Sequence, residues 1–178
     1  APATAGAHEL ITVAWQIKNA GTGAAAGKYL ACCATGYYYK WADALYLSTD
    51  ATLSADDLLV TTSWTADQFR VAAGGTYTTQ LDVQLPSVAP GAYYLVLATD
   101  NVGDRVAESD ASNNVQVAPI AIARPDLVAR DLAGPSAVAV QELATFSWRV
   151  DNPGAGGATG KYLGCCATGY YYKWADAL

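Results

Sequence analysis

Ile11, Val13, Trp15 and Ile17 alternate with Thr12, Ala14, Gln16 and Lys18. A period of two puts the first four on one face of an extended chain, as in a half-buried strand. The same alternation returns at Ala144, Phe146, Trp148 and Val150, with largely different residues. A pattern that outlives its residues marks a packing face. Residues 41–48 read as the next strand and 58–62 as a short one. Residues 76–85 set Tyr77, Thr79, Leu81, Val83 and Leu85 on one face, with Pro86 as the stop. Tyr93, Leu95 and Leu97 repeat that phase within residues 91–99, and a polar loop follows over 100–114. Residues 115–122 are strand-like but contain Pro119, which places them at an edge or at a crossing between units. Another strand opens at 126–132. No segment carries a helical period. Roughly seven short strands joined by Gly, Pro, Asn and Asp turns predict an all-β chain, an immunoglobulin-like seven-stranded β-sandwich.

The strands belong to a repeat. Residues 27–45 recur as 160–178 with a single exchange, Gly164 standing for Ala31. Subtracting 27 from 160 gives an offset of 133 residues. Upstream the offset holds more loosely: Glu9 and Leu10 match Glu142 and Leu143, Trp15 matches Trp148, Asn19 matches Asn152, and Gly21 matches Gly154. The expected organisation is a sandwich over 1–122 lacking its own first strand, then a partial second repeat over 123–178. That second part holds the first strands and the 160–178 copy, and half a sandwich needs a neighbouring subunit to bury its apolar face. The chain has no methionine and opens Ala1-Pro2-Ala3, which suits either a processed end or the interior of a longer chain.

Several segments in order resemble the bacterial cell-adhesion-related domain, CARDB. They are Trp15-Gln16-Ile17-Lys18-Asn19-Ala20-Gly21-Thr22-Gly23, Trp41-Ala42-Asp43-Ala44-Leu45-Tyr46-Leu47-Ser48-Thr49-Asp50-Ala51-Thr52-Leu53 and Gly91-Ala92-Tyr93-Tyr94-Leu95. Asp100 through Glu108 to Asn113-Asn114-Val115, and the opening Pro125-Asp126-Leu127-Val128, complete the set. The resemblance implies tandem sandwiches on surface or secreted bacterial proteins, with no catalytic residues to carry over. Residues 27–40, with Cys-Cys and Tyr-Tyr-Tyr, look like an insertion relative to that family.

Composition narrows the partners. Apolar residues make up 52 % of the chain and charged ones 15 %, enough for a core. No run of about eighteen apolar residues occurs, so no membrane insertion is expected. A net charge of −6 with ten scattered basic residues argues against nucleic acid. An extracellular or bacterial cell-surface location is expected.

The cysteines stand as two adjacent pairs, Cys32 with Cys33 and Cys165 with Cys166. Three readings stay open: disulfides between insertions of different repeats or chains, a strained vicinal ring, and free or metal-bound thiols. The aromatic residues Tyr37, Tyr38, Tyr39 and Trp41, repeated as Tyr170, Tyr171, Tyr172 and Trp174, are candidates for inter-subunit packing or for stacking on a glycan. Their plain alternative is core packing. Asp50, Asp56 and Asp57, and then Asp100, Asp104, Glu108 and Asp110, cluster in turns. Calcium is the one cofactor that such density raises, although neither run fits an EF-hand loop and turn capping accounts for both. His8 is the only histidine, and its counterpart is Gln141, so the inventory offers no catalytic triad. The expectation is not an enzyme but a structural subunit of an extracellular filament, a homopolymer joined by strand complementation. The alternative is an adhesion module that binds glycans.

Overall fold

The computed structural model describes residues 1–32, 36–66, 68–103, 105–158, 161–164 and 170–173. Strands make up 48 % of the chain with no helix among the described residues, so the protein is all-β. The first repeat contains β1 (Thr4–Gly6), β2 (Leu10–Lys18), β3 (Ala25–Ala26), β4 (Tyr29–Cys32), β5 (Gly36–Tyr39) and β6 (Ala42–Ser48). It continues with β7 (Leu58–Trp64), β8 (Arg70–Val71), β9 (Thr76–Gln84), β10 (Gly91–Ala98) and β11 (Val115–Ala123). The second contains β12 (Val128–Ala133), β13 (Ser147–Asp151), β14 (Lys161–Gly164) and β15 (Tyr170–Lys173).

Two layers form a sandwich-like arrangement. One is a five-stranded sheet in the order β1-β11-β10-β6-β7, antiparallel except for the short parallel pair β1–β11. Facing it is the antiparallel pair β2–β9, with the small pair β3–β8 beyond its end. The alternation read from the sequence is the alternation that packs. Ile11 and Val13 of β2 join Val83 of β9 and Leu85 in a core with Leu45, Leu47, Leu95, Leu97, Ile120 and Ile122 from the opposite layer. Removing each such side chain from water is worth about 1.5–3 kcal/mol, which makes this core the main stabilising term.

Pro119 sits inside β11, opposite Tyr94 of β10, and breaks nothing. Thr99 N–H donates to the Asn114 carbonyl, so even-numbered β11 residues bond to β10. Ala121 N–H points the other way, to the Ala3 carbonyl beyond β10's reach. Position 119 shares that outward phase, where a proline costs no ladder bond.

One polar group is bolted into the core. Asp43 of β6 is 1 % exposed, and its carboxyl oxygens accept from Trp15 Nε1 (2.9 Å), Thr99 Oγ1 (2.6 Å) and the Tyr77 hydroxyl (2.8 and 2.9 Å). Trp15 and Tyr77 belong to the two-stranded layer, so Asp43 ties the layers together by direction as well as by contact. Burial drives the Tyr77 hydroxyl well above the usual tyrosine range, with the Asp43 carboxyl adding to the rise. Trp41 Nε1 in turn donates to the Tyr77 oxygen at 3.1 Å, and its ring packs against Phe69, Val71 and Val106 as a second, smaller core.

The strands expected at 41–48, 58–62, 76–85, 91–99, 115–122 and 126–132 are present with ends shifted by one or two residues. Strands β1, β3 and β8 were not foreseen, since two or three residues are too few to show a period. β1 supplies an N-terminal strand, but on the five-stranded layer. Beside β2 itself no strand lies on the edge away from β9, among the described residues.

Asp43→Ala leaves three buried donors without their acceptor and is expected to cost about 3–5 kcal/mol, read as a lower urea midpoint at unchanged slope. Tyr77→Phe, which loses one hydroxyl, should cost about 1–3 kcal/mol. Because the folded pKa of Tyr77 is raised, its contribution is complete below the unfolded value near 10 and fades as pH rises through the folded one. A phenolate titration followed alongside unfolding should therefore show Tyr77 ionising last, together with loss of the fold.

Candidate assembly surfaces

The two repeats share a turn at the end of their equivalent strands. After β2, Asn19 Nδ2 donates to the Gly23 carbonyl (2.8 Å) and Asn19 Oδ1 accepts from Gly21 N–H (3.0 Å). After β13, Asn152 makes the same two bonds with Gly156 (2.9 Å) and Gly154 (3.2 Å). Asn supports such a turn because its side chain mimics a backbone amide. β2 and β13 are therefore the same strand in the same phase, offset by one repeat.

Their partners differ. β2 pairs with β9. β13 pairs with β12, Val128 facing Asp151, Ala129 facing Val150 and Arg130 facing Arg149. The bonding phase of β2 follows from the two bonds that bracket its ladder, Leu85 N–H to the Glu9 carbonyl and Asn19 N–H to the Gly75 carbonyl. Odd-numbered residues exchange bonds with β9, so the N–H and C=O groups of Leu10, Thr12, Ala14, Gln16 and Lys18 point to the edge without a strand. Such an edge is a template for pairing with another chain.

A second surface is apolar. Val13 is 3 % exposed in the first repeat, whereas its counterpart Phe146 is 50 % exposed. Trp148 and Val150, counterparts of the half-buried Trp15 and Ile17, are 40 % and 36 % exposed. Leu127, Leu132, Val138 and Val140 in the same repeat are also exposed.

The insertion forms a hairpin in both repeats. β4 and β5 pair with Tyr29 opposite Tyr39 and Cys32 opposite Gly36. β14 and β15 pair with Tyr162 opposite Tyr172 and Gly164 opposite Tyr170, which is the same register after the repeat offset. Cys32 ends β4, Tyr37, Tyr38 and Tyr39 lie in β5, and Tyr170, Tyr171 and Tyr172 lie in β15. Cys33, Cys165, Cys166 and Trp174 lie outside the described residues.

Trp41 needs a correction. Grouped in the sequence with the surface-stacking tyrosines, it is 3 % exposed and forms the centre of the smaller core, so it meets neither ligand nor neighbour. An accessible indole in the first repeat is Trp64 on β7, 42 % exposed, with Lys40 Nζ 5.1 Å and Arg105 Cζ 5.6 Å from its ring. Trp64 lacks a counterpart within this chain, so the repeat comparison gave no signal for it.

The clustered carboxylates cap turns. Asp50 accepts from Thr52, Asp56 and Asp57 from Ser54, Asp110 from Ser112, and Asp100 from the N–H groups of Arg105 (3.0 Å) and Val106 (2.8 Å). Hydrogen bonds from Thr52 and Ser112 hold Asp50 and Asp110 below the usual carboxylate range. Among the described residues no three His, Cys, Asp or Glu side chains are grouped to hold a metal ion, and Asp104 lies outside them. One cavity of about 200 Å³ lies where the repeats meet, lined by Ala7, Val88, Pro90, Arg124, Pro125 and Gly157. Another of about 190 Å³ lies beside Phe69 and Arg70. Both fall short of the roughly 300 Å³ at which ligand pockets begin. Comparisons with protein-family models, with curated proteins and with solved structures found no match.

Amide hydrogen exchange tests the edge assignment directly. In the isolated chain Ile11, Val13, Trp15 and Ile17 are expected to exchange slowly, while Thr12, Ala14, Gln16 and Lys18 exchange at least about tenfold faster, since only the first set bonds to β9. Equal protection of both sets would show the edge to be covered.

Proposed function

We propose that this chain is a structural subunit of an extracellular bacterial filament or surface fibre, its copies joined head to tail by strand complementation and locked by disulfides from the cysteine pairs. The observation that supports this reading is the cysteine- and tyrosine-bearing hairpin, which recurs in one register in both repeats and so offers each copy two equivalent points of cross-linking. A contact between different surfaces of successive copies is heterologous, and repetition without closure gives a fibre.

Magnitudes decide how such a contact would hold. Covering Phe146, Trp148 and Val150 as their counterparts are covered contributes about 1.5–3 kcal/mol for each. Association costs about 4–15 kcal/mol in lost freedom, so the apolar face alone leaves a weak joint. Ladder bonds along an open edge add to it, and covalent links between the hairpins would make it permanent. The resemblance to the CARDB repeat and the secreted character of the composition agree with a surface location. No catalytic role is assigned.

The second reading, an adhesion module that binds glycans, draws on Trp64. A half-exposed indole beside two cations is a platform suited to an acidic sugar.

Electron microscopy of the native chain at high concentration is expected to show rods with an axial repeat near one sandwich length. Compact monodisperse particles would overturn the fibre. Replacing all four cysteines by serine should leave rods that form but dissolve in detergent. On a glycan array, Trp64→Ala should abolish binding only if the adhesion reading holds.

A further inference from the structure

We infer that the ribbon formed by β8, β3 and residues 105–106 is a binding face for an acidic polysaccharide, with carboxylates on Arg70, Lys28 and Arg105 and a sugar ring on Trp64. This rests on the adhesion reading and names the ligand class for it.

The face follows from the register. Ala25 pairs with Val71 and Ala26 with Arg70, while Gly27 forms a bridge to Val106. Lys28 N–H donates to the Arg105 carbonyl, which continues that bridge and sets Lys28 opposite Arg105. Residues directly opposite one another share a side of a sheet, and neighbours along a strand take opposite sides. Ala25, Gly27, Val71 and Val106 therefore share one side, and that side is turned inward. Val71 is 6 % and Val106 5 % exposed, both in the core around Trp41. Ala26, Lys28, Arg70 and Arg105 take the other side, with Lys28 and Arg70 exposed and Arg105 half-buried.

Three of the ten basic residues, far apart in sequence, are thus gathered on one outward face. Trp64 lies at its Arg105 end, with the Lys40 and Arg105 heads 5.1 and 5.6 Å from its ring. Attraction to the ring holds those heads in place. The chain as a whole carries −6, so this local excess of cations departs from its average and favours an anionic partner. Among the described residues no carboxylate forms an ion pair with Arg70 or Arg105, and Arg105 Nε is buried without an acceptor. A guanidinium without a counter-charge is a fork that fits a carboxylate. Trp64, 42 % exposed, adds an apolar surface beside it, which suits a sugar ring better than a small inorganic ion. The negative charge of the rest of the chain disfavours the denser phosphate backbone of nucleic acid.

The test is a calorimetric titration of the full-length chain with an oligomer of a uronic acid, the same oligomer with its carboxyls reduced to alcohols, and polyglutamate. The uronic oligomer is expected to bind, and to bind more weakly as salt is raised. Arg70→Gln and Arg105→Gln should each weaken it about 2- to 5-fold, whereas Arg149→Gln, in the second repeat, should not. Arg70 is exposed, so its variant keeps the test decisive should Arg105→Gln fail to fold. Trp64→Ala should weaken the uronic oligomer and spare any binding of polyglutamate. Equal binding of the reduced oligomer, indifferent to the arginine variants, overturns the cationic face and leaves the adhesion reading standing. Polyglutamate bound as tightly as the uronic oligomer, with no response to Trp64→Ala, overturns the carbohydrate assignment. Binding of neither oligomer overturns the inference, and only a blank glycan array as well would remove the adhesion reading.

Discussion

A β-strand has two edges and two faces, and its backbone groups and apolar side chains need partners on each side turned away from water. β2 and β13 are equivalent strands with different partners. The first is bonded to β9 and sandwiched under β6, β10 and β11. The second is bonded to β12, with Trp148 40 % and Val150 36 % exposed.

Within the first repeat the decisive polar contact is the carboxyl group of Asp43. A polar group in a core is tolerable only when its bonding capacity is met, and here donors from three other strands or their ends converge on it. Because those donors come from both layers, the network fixes how far one layer can slide over the other. Apolar packing alone is non-directional and does not set that position as sharply. β2 is accordingly held at a fixed place relative to the five-stranded layer.

The inserted hairpins add a different element. They occur twice in one register and carry the adjacent cysteines and the tyrosine runs. A hairpin of four-residue strands is marginal in isolation. In the proposed fibre, cross-linking through these hairpins would make a weak joint permanent.

Alternation at Ile11, Val13, Trp15 and Ile17, and again at Leu81, Val83 and Leu85, was enough to call the all-β class and the inward face of each long strand, because period-two burial is a local property. The offset between equivalent Trp and Asn residues was likewise legible, and with it the unequal content of the two repeats. Other features were invisible along the chain. Asp43 reads as an ordinary strand-end acid until Trp15, Tyr77 and Thr99 arrive from 28 to 56 residues away. Trp41 and Trp64 look alike in sequence, yet one fills a core and the other meets solvent, since burial depends on what the opposite strand brings. The parallel pairing of β1 with β11 was also settled only by tertiary structure. Side-chain pattern determines which face turns inward, but strand neighbours are chosen by packing among segments distant in the chain.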